Sequence, residues 1–248
     1  MFELELTTII VGLAVFFVAG LLQGMTGFGL AMVVVPILSL FISPKVVVPI
    51  LILNGFVLNI MVLWNAWRWV RLKYIWPLMV AGAAGAPLGA YILVALDANV
   101  LRLLIGAAAI LFAFAFMRGY TRPIKHPKLG MVPVGLFSGM LGSSITIAGP
   151  PIILFLTNQG IEKQVFRANI VAYFMVIGLA AVPFLIVGDI ITVQTPLYAA
   201  VFLPGLILGA VAGIRTASRV NQRMFNRIAL GLVSIAGTLS ILAGLNVI

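Results

Sequence analysis

Two short segments of this chain concentrate glycine and uncharged polar side chains. One is Gln23-Gly-Met-Thr-Gly-Phe-Gly29; the other gathers Ser138, Gly139, Gly142, Ser143, Ser144 and Thr146. Glycine allows positive φ and a close approach of backbone to a ligand, and amide or hydroxyl side chains donate hydrogen bonds without formal charge. Where a helix begins after such a bend, its free N–H groups carry partial positive charge and suit a small anion. The candidate ligand contacts are therefore Gln23, Gly24, Thr26, Gly27, Phe28 and Gly29 in the first segment. In the second they are Ser138, Gly139, Gly142, Ser143 and Ser144. Asn54 and Asn169 join them as amides within apolar stretches, with Asn59 further along from Asn54, because a buried amide is costly unless it pairs. The competing uses are tight helix packing for Gly and Ser, and helix-to-helix hydrogen bonding for the amides.

Side-chain catalysis is poorly provided for. There is no cysteine, which excludes thiol nucleophiles, disulfides and Cys-type metal sites. The one histidine, His126, lies in Arg-Pro-Ile-Lys-His-Pro-Lys128 with no triad or metal-site spacing. The five acids are Glu3, Glu5, Asp97, Glu162 and Asp189, none within a long apolar run and no two spaced as an acid/base pair. Gly24–Gly29 is no nucleotide loop either, since no Lys-Ser/Thr follows it. The expectation is a non-enzyme with no catalytic residue, metal, cofactor or nucleic-acid partner.

The elements that position these segments are set by composition. Of 248 residues 63% are hydrophobic and 8% charged, against about 25% charged in a soluble domain. Apolar runs at 46–64, 74–96, 100–117, 168–188, 196–214 and 228–248 each suffice for one crossing of a bilayer core roughly 30 Å thick. Residues 7–22 and 30–42 flank the first polar segment, and 129–141 and 145–157 flank Gly142-Ser-Ser144. These arms read as helical hairpins that enter the membrane and turn inside it, or else as pairs of short crossings. The fold class expected is an all-α polytopic membrane protein of about 8–10 apolar segments in one domain, 1–248.

An internal repeat organises them. Shifting the chain by 115 residues lays Gly20-Leu-Leu-Gln-Gly-Met-Thr-Gly27 on Gly135-Leu-Phe-Ser-Gly-Met-Leu-Gly142, then Pro36-Ile37 on Pro151-Ile152 and Asn54 on Asn169. Gly85 and Gly89 match Gly209 and Gly213 at a slightly larger offset. The halves are about 1–120 and 121–248, each a glycine-tipped hairpin plus three spanning helices. Placing loops 64–73, 118–128, 158–167 and 215–227 in the cytoplasm puts 13 of 15 basic residues there, as the positive-inside rule requires. Equivalent loops then face opposite sides, so the repeats are inverted and both termini lie outside. That plan serves secondary transporters, with the site near the midplane.

The tip Gly20-Leu-Leu-Gln-Gly-Met-Thr-Gly-Phe-Gly29 with Pro36, and its degenerate copy Gly135–Gly142 with Pro150-Pro151, resemble the TauE/SafE family over nearly the whole chain. The resemblance implies transport of sulfite or an organosulfonate, sulfoacetate-like or aromatic, across the bacterial cytoplasmic membrane. The second tip departs from the family form, with Ser143-Ser144 opposite Phe28-Gly29. The reading is a secondary transporter for a sulfur oxyanion, working by alternating access among membrane lipids, with H⁺ or Na⁺ as a possible coupling ion. The alternative is a non-transporting membrane subunit or scaffold.

Overall fold

A computed structural model describes residues 5–118, 127–157, 161–216 and 222–247, the side chains of 65, 127–129, 163, 222–229 and 232 excepted. Glu3, Arg122, Lys125, His126 and Arg219 lie outside the described residues, as do the side chains of Lys128, Lys163, Arg223 and Arg227. The described chain is helical: α1 Leu6–Thr26, α2 Leu30–Leu38, α3 Pro44–Ala66, α4 Leu72–Ala95, α5 Ala98–Met117, α6 Pro127–Ile145, α7 Gly149–Thr157, α8 Lys163–Val187, α9 Thr195–Thr216 and α10 Gln222–Gly244. A 3₁₀ turn, Trp67–Trp69, joins α3 to α4. Among the described residues six helices, α1, α3, α4, α5, α8 and α9, are long and apolar enough to cross a membrane. Their outward faces carry apolar side chains such as Leu111, Leu208 and Val187, which suit lipid. Trp64, Trp67, Trp69 and Trp76 are exposed around one end, as an interfacial belt would be.

The six long apolar runs emerge as α3, α4, α5, α8, α9 and α10, displaced by a few residues at their ends. The hairpins differ from expectation. Their first arms are not short: α1 has 21 residues and α6 has 19, whereas α2 and α7 have nine each, about 14 Å at 1.5 Å per residue. Glycines that were expected to break these arms stay helical because a neighbouring helix packs on them. α1 ends where Gly27 takes φ 88° and returns its N–H to Gln23 O, and Gly29 at φ 111° opens α2. In the second hairpin the break is not at Gly142-Ser-Ser144, which lies inside α6, but at Thr146, with φ 58°. Ser144 remains helical by donating to Met140 O, four residues back.

The order long, short, long, long, long occurs twice. Thr26 and Ile145 end the first arms 119 positions apart, and Leu30 and Gly149 begin the short helices at that same offset. The 115-residue frame read from identities is therefore one helical turn out of phase. Small residues recurring every fourth position match nearly as well after a slip of one turn.

Packing joins the two halves. α1 lies along α9 and α4 along α6, and these are the two most extensive helix pairs. Gly205, Gly209 and Gly213 face the backbone at Leu13, Phe17 and Leu21, so α9 and α1 run parallel. Gly85 and Gly89 face Leu136 and Met140, again 119 positions on from Phe17 and Leu21. α5 and α10 run antiparallel, with Gly106 against Gly237 and Gly244 against Asn99 and Leu103. Phe16 and Phe202 stack at 5.0 Å across the α1–α9 seam. Without a hydrophobic driving force between helices in lipid, such close backbone contact is the main source of association.

Candidate functional site

The two bends meet at one cavity. It holds about 760 Å³ of open space, mouth included, and is lined from α1–α2 by Gln23, Phe28, Gly29, Leu30, Ala31 and Met32. Gly142, Thr146, Ile147, Ala148 and Gly149 line it from α6–α7. The walls between come from the middle of α3 (Leu51, Ile52, Gly55, Phe56, Asn59) and of α8 (Phe174, Ile177, Gly178, Ala181). Among the described residues no charged side chain lines it; Gln23, Asn59 and Thr146 are the polar ones.

Gln23 organises the first bend. It is 3% exposed, and its Oε1 accepts from Leu30 N at 3.3 Å while its Nε2 donates to Asn59 Oδ1 at 3.1 Å. The Leu30 N–H can only donate, so it sets which way the Gln23 amide faces. That orientation in turn makes Asn59 accept through Oδ1 and leaves its Nδ2 as a donor at the cavity wall, with no partner among the described residues. Thr26 closes the turn: its Oγ1 donates to Phe28 O at 2.7 Å and accepts from Phe28 N at 3.2 Å.

The first helical turn of α2 is only partly satisfied. Leu30 N is held by Gln23 and Val33 N by Gly29 O, whereas the N–H groups of Ala31 and Met32 have no partner among the described residues. The other end of α2 is met by a cation, Arg102 Nε donating to Ser39 O at 2.8 Å. α1 is treated alike: Arg167 Nη2 donates to Gly24 O at 3.1 Å in its last turn. The carbonyl ends of both helices in this hairpin are thus neutralised, and the N–H end of α2 is left facing empty space. An oxyanion has acceptors for those donors.

The candidate residues divide accordingly. Gln23, Phe28, Gly29 and Gly142 reach the cavity; Gly24, Thr26, Gly27, Asn54, Ser138, Gly139, Ser143, Ser144 and Asn169 do not line it. Gly24 and Gly139 are packing positions, where an added Cβ would strike Ala210 O and Gly82 O. Gly27 gives the positive φ and lies under Arg167. Ser138 Oγ, fully buried, donates to Ala148 O at 2.6 Å and so ties the second bend. Ser143 faces Gly89 across the α4–α6 seam. Asn169 Oδ1 accepts from Arg71 N at 2.9 Å, satisfying an N–H at the start of α4. Asn54 is 1% exposed and its Nδ2 has no partner among the described residues. Phe28 lines the cavity and stacks on Phe116 at 6.1 Å, whereas Trp64 is exposed and the Tyr173 hydroxyl donates to Gly135 O at 3.1 Å.

The fold and site together define a polytopic helical membrane protein with a cavity between two interrupted hairpins. Residues 12–239 match the family model described as sulfite exporter TauE/SafE, and the chain belongs to that family of membrane transporters. No match is found among curated proteins or among solved structures.

Proposed function

We propose that the protein carries a sulfur oxyanion, sulfite or an organosulfonate, across the bacterial cytoplasmic membrane by alternating access, with the anion held in the cavity between the bends. One observation carries this reading: the unpaired N–H groups of Ala31 and Met32 and the Asn59 amide converge on a cavity without counter-charges. Main-chain dipoles then hold a negative charge that can still leave, because among the described residues no lysine or arginine lines the cavity to trap it. The family's description supports the choice of sulfite or a related anion. The inverted arrangement is supported by the repeated element order, by the exchange of partners between α1–α9 and α6–α4, and by the antiparallel course of α5 and α10. Two such units exchanging conformations open one site to either side in turn.

The basic loops face the cytoplasm and both termini face outward in this reading. An inside-negative potential drives one negative charge outward by about 2.3 kcal/mol per 100 mV, close to fiftyfold in concentration. Export needs no further coupling; uptake would take H⁺ or, held by backbone carbonyls at a bend, Na⁺.

Reconstituted protein should release radiolabelled sulfite or sulfonate from liposomes faster when the interior is made negative. Ala31→Pro removes one donor at a position where the first turn of a helix tolerates proline. It should weaken anion binding about tenfold or more, the worth of one charge-assisted hydrogen bond, with little change in melting temperature. Unaltered binding in that variant would refute the assignment of the site.

A further inference from the structure

The two bends build the same cavity from equivalent positions, yet with opposite chemistry. At the 119-residue offset of the helix ends, Gln23 corresponds to Gly142 and Asn59 to Gly178, and all four line the cavity. Ala31 and Met32, whose N–H groups are free, correspond to Pro150 and Pro151, which have none. The remaining hydroxyls at the second bend are turned on their own backbone: Thr146 Oγ1 donates to Ile145 O at 2.7 Å and Ser138 Oγ to Ala148 O. Among the described residues the unspent side-chain donor, Asn59, and two free first-turn N–H groups therefore lie at the α2 end, whereas the α7 end keeps only main-chain N–H groups at Ile147, Ala148 and Gly149 amid Ile177, Phe56, Phe174 and two further glycines.

Resting on the transport reading above, we propose that the cavity selects a one-headed anion with an apolar tail: the oxyanion at the start of α2 and Asn59, the tail against Phe56 and Phe174 at the α7 end. Asn59, 95% buried with Nδ2 open to the cavity, is the side-chain ligand of the head. The glycines at 142 and 178 make room for the tail. A second anionic group at the tail's far end would lose its water and meet no side-chain donor among the described residues, a cost that disfavours disulfonates and sulfoacetate-like dianions. Bare sulfite fills the head site alone and forgoes the apolar contact.

The test is competition for binding and transport in proteoliposomes, using sulfite, methane-, ethane-, propane- and butanesulfonate, toluenesulfonate and butane-1,4-disulfonate. Affinity should rise about fourfold per methylene along the alkyl series, and the disulfonate should bind about a hundredfold or more weaker than butanesulfonate. Gly178→Ala, whose new methyl would stand 3.0 Å from the Phe56 ring, should compress the ratio of butane- to methanesulfonate affinity. Asn59→Ala should weaken both alike. A flat alkyl series, or a disulfonate or sulfite that binds as well as butanesulfonate, overturns this selectivity while leaving anion transport standing. If no sulfur oxyanion is bound or moved, both readings fall together.

Discussion

Thr146 is the residue most out of keeping with its surroundings. A β-branched side chain at φ 58° occupies a region that costs about 1–2 kcal/mol, whereas the equivalent position in the first hairpin is Gly27. Such strain persists where the surrounding structure over-determines it, and here the residue also lines the cavity. Thr146→Gly should leave the melting temperature unchanged or raise it, because relief of strain offsets the glycine's extra unfolded-state entropy. The reverse change, Gly27→Thr, should destabilise by about 2 kcal/mol or more, as its Cβ would sit 2.8 Å from Arg167 Cγ. Thermal unfolding in detergent distinguishes the two, and a stabilised Gly27→Thr would refute this account of the bends. Part of the first bend was legible from residue type alone: of the six residues singled out there, Gln23, Phe28 and Gly29 line the cavity, whereas Gly24, Thr26 and Gly27 do not. The amide choice was not. Asn54 was preferred to Asn59, yet five helical positions rotate a side chain by about 140°, and Asn59 is the one that lines the cavity.

At the scale of elements, the glycine stripes are seams that let α1 touch α9 and α6 touch α4 through their backbones. Gly139→Leu and Gly209→Leu should each cost several kcal/mol, since the new side chains would force apart helices whose carbonyls lie directly opposite. Gly55 offers the control. An added Cβ there meets nothing within 4 Å, although the residue lines the cavity, so Gly55→Ala should fold as well as the parent. Equal loss of folded protein across all three would show that the seams are not where stability resides. The existence of two hairpins followed by three long helices each was legible from the lengths of apolar runs. The place of the second break was not, because Gly142, Ser143 and Ser144 have the composition of a turn but are held in helix by packing and by back-bonding to the preceding turn.

For the whole molecule, the absence of cysteine makes a topology experiment clean. A single cysteine at Thr192 should react with an impermeant thiol reagent on intact cells, and one at Trp67 only after permeabilisation; labelling of both from outside would refute the inverted arrangement. Composition already specified a membrane protein, since 63% hydrophobic residues cannot be buried in 248, and the spacing of apolar runs specified its helices. Glycine marked the first bend, at Gly27 and Gly29, because its backbone effect is local. What lay beyond the reach of the chain's order was which faces meet: Gln23 finds Asn59 across 36 positions, and the bends at Gly27 and Thr146 share a cavity though more than a hundred residues separate them. Helix rotation and partner choice decide those encounters, and both follow from how side chains remote in sequence interlock, a property that no local pattern encodes.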